Sequence, residues 1–329
     1  MREQNSIDST DAKILKILLK ESRTSFTKIA KDCKISVNAV RKRYNRLSRT
    51  GIINGEIMQL NPQTLGYKCV VNILIITNIS NENEVIKFLK SKPYVCKVLK
   101  NLFETTNLGC IIGLHEVQEL SGIIQDIETN PLIKGVNTIF WNKTTNLDYP
   151  ENLLLLPSID KIQINLERNP NITIQKKIEM DEIDRQVVKI LSQNSRTTFT
   201  KIAKELKIST KNVIQRYSKL RGTVLASSTI TVDLKKLGYN AIVNLRLKIT
   251  NKSKSSEVLS KILEIPNVIV VLEYVGGDVD LFPIIALRDY NDLFRLKEQL
   301  ATIQGIEQAS MFLDEPYHAW PLNLFASLL

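Results

Sequence analysis

The chain is predicted to be an α+β protein in which two winged helix-turn-helix domains alternate with two ferredoxin-like β-α-β-β-α-β domains. Three observations predict this. First, the chain repeats itself. Ser22–Leu47 (SRTSFTKIAKDCKISVNAVRKRYNRL) and Ser195–Leu220 (SRTTFTKIAKELKISTKNVIQRYSKL) align without gaps at an offset of 173 and share 16 identities in 26 positions. Solenoid repeats have periods of roughly 20–50 residues, so a period this long is a duplicated domain or domain pair. Second, each repeated block gives way to the same succession of strand and helix periods. Third, the basic charge is concentrated. Residues 1–60 carry 13 Lys and Arg against 6 Asp and Glu, and residues 180–233 carry 10 against 5. Residues 61–150 and 151–179 balance, and residues 234–329 carry 10 against 11. A charge serving only solubility would be spread out, whereas a phosphate-binding footprint is concentrated in this way.

The elements follow in order. Asp8–Lys20 places Ile14, Leu15, Ile17, Leu18 and Leu19 on an amphipathic helix with acids early and Lys late, matching the helix dipole. Asp181–Leu191 repeats it with Ile183, Val187, Val188, Ile190 and Leu191. A short second helix covers Phe26–Cys33 and Phe199–Leu206. Lys34-Ile35-Ser36 and Lys207-Ile208-Ser209 then break the pattern, and the serines are N-caps for a third helix. Within it Val40, Tyr44 and Leu47, and Val213, Tyr217 and Leu220, fall at i, i+4, i+7 and form the inward stripe. A β-rich stretch follows each third helix, from Gly51 to Leu60 and from Thr223 to Leu234, and reads as a wing or a short linking hairpin.

After each wing comes Leu-Gly-Tyr, at Leu65–Tyr67 and Leu237–Tyr239. The first copy continues with a strand (Val70–Thr77), a helix (Glu84–Leu89), strands Val95–Leu102 and Cys110–Leu114, a helix (Val117–Ile127) and a strand (Val136–Trp141). The second has Ile242–Thr250, Glu257–Leu263, Val268–Val275, Leu281–Leu287, Tyr290–Leu300 and Ile306–Phe312. This order is the ferredoxin-like split unit. Two helices cover one face of each sheet, and the other, apolar face needs a partner. Tyr149-Pro150-Glu151-Asn152-Leu153 echoes Trp320-Pro321-Leu322-Asn323-Leu324, so the duplication runs past the last strand. The expected domains are 1–60, 61–157, 180–233 and 234–329, with 158–179 the unrepeated linker. In that linker Ile162, Ile164 and Leu166 alternate and could make an edge strand. The apolar tail Leu322–Leu329 packs internally or between chains.

Hydrophobic content of 43% and charged content of 24% are those of a globular protein. No apolar run approaches the ~18 residues of a membrane span, and the polar N-terminus has no signal-peptide core. A cytoplasmic protein with no membrane contact is expected. Cys33, Cys69, Cys96 and Cys110 form no Cys-x-x-Cys pair and read as buried free thiols. With only His115 and His318, metal-ligand spacing is absent, and neither metal nor cofactor is expected. No nucleophile elbow, P-loop or Cys–His pair is present, so the chain is not expected to be an enzyme.

The third helix of a helix-turn-helix enters the major groove of double-stranded DNA. The candidate DNA-binding residues are Ser36, Asn38, Arg41, Lys42, Arg43, Asn45 and Arg46 in the first copy. In the second they are Ser209, Lys211, Asn212, Gln215, Arg216 and Lys219. Arg and Lys suit guanine edges, and Asn and Gln suit adenine. Residues 36–50 hold five basic side chains, including Arg49, and no acid. Arg43 and Arg216 match between the copies and are expected to hold phosphates. A merely solvated basic surface is the plain alternative, and its occurrence twice after the same cap and the same preceding helix weighs against it.

These words resemble the Lrp/AsnC (feast/famine) family of transcriptional regulators: Asp-x-x-Asp-x-x-Ile-Leu from Asp8 to Leu15, Ser-Arg-Thr, the Ile-Ala-Lys helix, Ile-Ser-x-x-x-Val-x-x-Arg, Gly-Ile-Ile and Leu-Gly-Tyr. The resemblance covers nearly the whole chain, twice. It implies an N-terminal DNA-binding winged helix and a C-terminal ligand-binding, dimerising domain, the regulation of amino-acid metabolism (RAM) domain. The two ferredoxin-like domains are then RAM-type. It also implies an amino-acid effector at a RAM–RAM interface, held by a Gly-rich loop between the second and third strands with an Asp entering the third. Gly276, Gly277, Asp278 and Asp280 match that loop, although a plain tight turn would read the same. The first copy has Glu104-Thr105-Thr106-Asn107-Leu108, without the glycines and with Asn107 in place of Asp280. One intact effector loop per chain is expected.

Family members usually carry one copy and dimerise. The fused pair is expected to form that dimer within one chain as a RAM–RAM pseudo-dimer, and whether chains also pair further is open. The reading helices differ at Arg41/Ile214 and Lys42/Gln215, so an operator with two unlike halves is expected. Two rivals remain. One is an architectural DNA protein without effector. The other is an enzyme like the siroheme decarboxylases, which the family's fold resembles and which also occur as fused two-copy chains. That activity needs His near the second and third strands, and Val95–Leu114 and Val268–Leu287 contain none.

Overall fold

The structure is a computed structural model that describes residues 7–100, 108–156 and 178–329. The linker alternation at Ile162, Ile164 and Leu166 and the first-copy loop Glu104–Asn107 lie outside the described residues.

Each copy opens with three helices: α1 (Ser9–Lys20), α2 (Phe26–Cys33) and α3 (Val37–Arg49), then α6 (Glu182–Gln193), α7 (Phe199–Leu206) and α8 (Thr210–Leu220). Asp8 and Asp11 form a reciprocal capping box at α1, and Asp181 and Asp184 do the same at α6. These satisfy backbone N–H groups that the first turn leaves without partners. The turn between second and third helix is made by Lys34 and Lys207, both left-handed at φ 55°. Ser36 and Ser209 then cap the third helix, accepting from the backbone N–H of Ala39 and Asn212 at 3.1 Å each.

The strands after the third helices, β1 (Ile53–Leu60) and β6 (Leu225–Val232), pair antiparallel with each other from Ile53↔Val232 to Leu60↔Leu225. The expected wing or hairpin is thus completed by the other half of the chain. Alternating side chains mark a strand but do not name its partner.

The first ferredoxin-like domain comprises β2 (Cys69–Thr77), α4 (Glu82–Lys90), β3 (Val95–Lys100), β4 (Leu108–Leu114), α5 (Glu119–Glu128) and β5 (Ile133–Trp141). The second comprises β7 (Ala241–Ile249), α9 (Ser255–Leu263), β8 (Val268–Val275), β9 (Leu281–Leu287), α10 (Tyr290–Ala301) and β10 (Ile306–Asp314). One eight-stranded sheet of order β10-β7-β9-β8-β5-β2-β4-β3 results, joined where Phe140 meets Val275 and Trp141 meets Tyr274.

On the covered faces Val71, Ile73, Ile75 and Ile112 pack on Val85, Leu89 and Ile127. Val243, Leu245, Leu247 and Ile285 pack on Val258, Ile262, Leu296 and Leu300. Leu74, Ile111, Ile139 and Trp141 of the first sheet belong to one apolar core with Leu272, Tyr274, Phe282 and Ile284 of the second. Across it Asn72 donates to the Tyr274 hydroxyl at 2.9 Å and accepts from Trp141 Nε1 at 3.0 Å. Burying these apolar side chains together stabilises the fold, at about 25 cal/mol per Å² of apolar surface removed from water.

The segments after the last strands cross between halves. Tyr149 N–H donates to Ile269 at 2.8 Å, and Tyr239 donates its hydroxyl to Leu154 O at 2.7 Å. The C-terminal tail packs internally: Trp320 is fully buried and exchanges backbone hydrogen bonds with Val232, and Ser327 donates to Cys96 O at 3.2 Å. All four cysteines are free; Cys110 is buried, and Cys33, Cys69 and Cys96 are only half-buried, less than expected. Among the described residues no helix is long and apolar enough to cross a membrane.

Candidate nucleic-acid interface

The third helices fix which side chains can face a groove. At about 100° per residue, the stripe Val40, Tyr44 and Leu47 turns inward and Asn38, Arg41, Lys42 and Asn45 point away from it. All four of those side chains are exposed. In the second copy Lys211, Ile214, Gln215 and Ser218 take the matching places, and all are exposed. Asn212 falls on the flank, half-buried, where its side-chain oxygen accepts from Arg216 Nε at 2.6 Å.

Four expected DNA contacts are committed elsewhere, and this revises the reading from sequence. Arg43 Nη1 donates to Asp8 at 2.6 Å and Asp11 at 2.8 Å, and Arg46 pairs with the other oxygen of Asp11. Arg216 Nη1 donates to Asp181 at 2.6 Å and Asp184 at 2.7 Å, and Lys219 Nζ donates to Asp184 at 2.7 Å. Asp11 and Asp184 are wholly buried. A buried carboxylate must be paired, and Arg43 and Arg216 lie about 60° from the centre of the inward stripe, within reach of the first helix. They clamp the third helix to the first. Hydrogen bonding to Arg216 and to the Asp184 backbone holds the Asp181 carboxyl below its usual value. At Asp8, burial raises the carboxyl, but hydrogen bonds from the Asp11 backbone and Arg43 outweigh it and the net shift is downward. Ser36 and Ser209 are likewise engaged as caps.

The repeated Ser-Arg-Thr, noted in the sequence without a role, joins the two helical domains. Ser22 and Ser195 meet side chain to side chain at 2.6 Å. Arg23 donates to the Ser195 and Thr197 carbonyls, and Arg196 donates to the Ser22 and Thr24 carbonyls. The Arg23 guanidinium lies 4.5 Å from the Phe199 ring centroid and 5.1 Å from that of Tyr217. Arg196 lies 4.8 Å from Phe26 and 5.5 Å from Tyr44. Tyr44 and Tyr217 belong to the inward stripes, so each arginine braces the other half's reading helix. The signal available in the sequence was an identical arginine in both copies, between helices, beside identical serines.

In the second RAM-type domain Gly276 and Gly277 adopt φ of 80° and 71°, with no atom near where a Cβ would stand. The backbone conformation requires glycine there, rather than crowding. Lys248 Nζ donates to Gly277 O at 2.9 Å and Arg246 pairs with Asp278 at 2.7 Å. Asp280 is buried; it accepts from Ile249 N–H at 2.9 Å and lies 3.3 Å from Lys252 Nζ. Both carboxylates thus hold the loop to β7. His115 lies in the bend after β4, stacked on Tyr67 at 4.1 Å between ring centroids.

The molecule is therefore a two-headed helix-turn-helix protein. A winged helix-turn-helix DNA-binding family matches residues 7–54, and the AsnC-type helix-turn-helix domain matches residues 180–221. The transcriptional regulator LrpA of Pyrococcus horikoshii is 44% identical over 120 residues, 36% of this chain and 84% of LrpA. The regulator LysM of Saccharolobus solfataricus is 34% identical over 128 residues, 39% of this chain and 87% of LysM. The chain belongs to the Lrp/AsnC family of DNA-binding transcriptional regulators. The crystal structure of the siroheme decarboxylase NirDL superposes over 93% of this chain and 91% of that one, with a TM-score of 0.65 and 16% sequence identity. At that identity the likeness is one of fold, and it spans both halves.

Proposed function

We propose that this DNA-binding transcriptional regulator works as a single-chain pseudo-dimer that recognises a bipartite double-stranded site with unlike halves. One observation carries the reading: each third helix is braced by an arginine of the other half, Arg196 on Tyr44 and Arg23 on Tyr217, while the two helices present different outer faces, Asn38, Arg41, Lys42 and Asn45 against Lys211, Ile214, Gln215 and Ser218. Base edges are read by Asn38, Arg41, Lys42, Asn45, Lys211 and Gln215, and the clamp residues position the helices. The Gly276–Asp280 loop is the one place proposed for a small effector such as an amino acid, taken up through its exposed backbone N–H groups. The chain performs no catalysis in this reading.

The test is to incubate the full chain with sheared genomic DNA at ~0.15 M salt and sequence what is retained. An enriched site with two unlike halves, bound more weakly as salt rises, supports the proposal. Tight binding without an enriched sequence favours the architectural reading. The likeness in fold to NirDL across both halves favours a second reading, a tetrapyrrole enzyme, and a haem-type absorbance after reconstitution would establish it over the first.

A further inference from the structure

Ile214 is exposed to 44% on the outer face of α8, where α3 carries Arg41. Among the described residues of 7–60 and 178–234 it is the one large apolar side chain so exposed. Its neighbours on that face are Lys211, Gln215 and Ser218, and it takes no part in the inward stripe of Val213, Tyr217 and Leu220. Scattered apolar side chains on a surface need no explanation. This one stands at the middle of a reading face, at the position where the other copy carries a cation. Arg41 and Lys42 make no ion pair among the described residues, so the first head meets DNA with free charge at two places where the second has none.

Resting on the reading that α3 and α8 enter the major groove, we propose that Ile214 is a specificity-determining residue that reads thymine. Its side chain takes the C5-methyl group of a thymine, the one apolar feature a base pair shows in the major groove. Arg41 at the equivalent place takes the two acceptors of a guanine. The first head therefore grips by charge and the second discriminates by shape, with Gln215 beside Ile214 suited to adenine.

The experiment uses the full chain and DNA selected from a random pool, then replaces each thymine of the second half in turn by deoxyuridine, which lacks only the methyl group. The native chain should lose affinity about four-fold at one such position, the worth of one methyl group removed from water. The Ile214→Ala chain should bind thymine and deoxyuridine equally there. The Ile214→Arg chain should select guanine at that position while its first half is unchanged. Because Ile214 is exposed, all three chains should share one melting temperature. Sequence-selective binding indifferent to every thymine-to-deoxyuridine change, or an Ile214→Arg chain that selects the native sequence, overturns the assignment. Absence of any enriched sequence with the native chain overturns the regulator reading beneath it.

Discussion

The hydroxyls of Ser22 and Ser195, 173 residues apart in sequence, lie 2.6 Å apart, buried where the two halves meet. Everything around them is reciprocal: Arg23 reaches into the second half and Arg196 into the first, and β1 pairs with β6. The contacts that join the two halves thus lie within one chain.

Losing both Arg23 and Arg196 should uncouple the heads. Each guanidinium makes carbonyl hydrogen bonds and stacks on two rings, contributions of order 2 kcal/mol together. The Arg23→Ala, Arg196→Ala chain should melt at lower temperature and should tolerate operators with base pairs inserted between the halves better than the native chain does. Gel-shift titration against a spacing series checks this, and equal spacing preference in both chains would contradict it.

The clamp and the groove-facing cations should separate experimentally. Asp184→Ala removes the capping-box partner of Asp181 and the acceptor of Arg216 and Lys219, whose side chains are partly exposed, and should cost about 1–3 kcal/mol. Arg41→Ala and Lys42→Ala should leave urea denaturation unchanged, each cost about 1–3 kcal/mol of binding and relax base selectivity in the first half-site. Should Arg216→Ala instead lower the slope of log affinity against log salt by about one at full stability, the phosphate role first expected for Arg43 and Arg216 would be restored.

Acid should loosen the same clamp. The Asp181 carboxyl is held below its usual 3.8 by Arg216, so the protonated form is favoured more in the unfolded chain than in the folded one. Its stabilising contribution is complete above that usual value and is lost as pH falls through the lower folded value. Urea midpoints measured between pH 5 and about pH 2 should fall, and part of that fall should vanish in Arg216→Met.

The two acids of the glycine loop should behave differently. Asp280→Ala strips the buried acceptor from Ile249 N–H and should cost about 1–3 kcal/mol, whereas the exposed Asp278–Arg246 pair should be worth less than about 1 kcal/mol. Gly276→Ala forces a side chain into positive φ and should cost of order 1–3 kcal/mol. Denaturant titration of the three variants distinguishes them.

Thiol reactivity should follow burial. Burial pushes the Cys110 thiol up to about 12 and the Cys96 thiol up to about 11. Since the thiolate is the nucleophile, both should resist a disulfide reagent at pH 8 until the chain unfolds. Peptide mapping that finds Cys110 labelled at the unfolded rate would contradict the core described.

Much of this was legible because helices announce themselves locally. Ser36 and Ser209 cap helices where the pattern placed them, and the inward stripes are those read from i, i+4, i+7. Pairings between distant segments were not legible. The alternation in β1 marks a strand, but only the fold shows that Leu225–Val232 is its partner. For Arg43 and Arg216 the sequence suggested phosphate contacts but not the ion pairs they make within the protein. Their acceptors, Asp11 and Asp184, lie a helix away, and only packing shows those carboxylates to be buried.

One chain should read two unlike half-sites. Hydroxyl-radical footprinting of the full chain on its selected operator, titrated to one chain per duplex, tests it most directly. Two protected tracts of different sequence should appear together at a single affinity, both lost at high salt. One tract per chain, or two tracts of identical sequence, would contradict it.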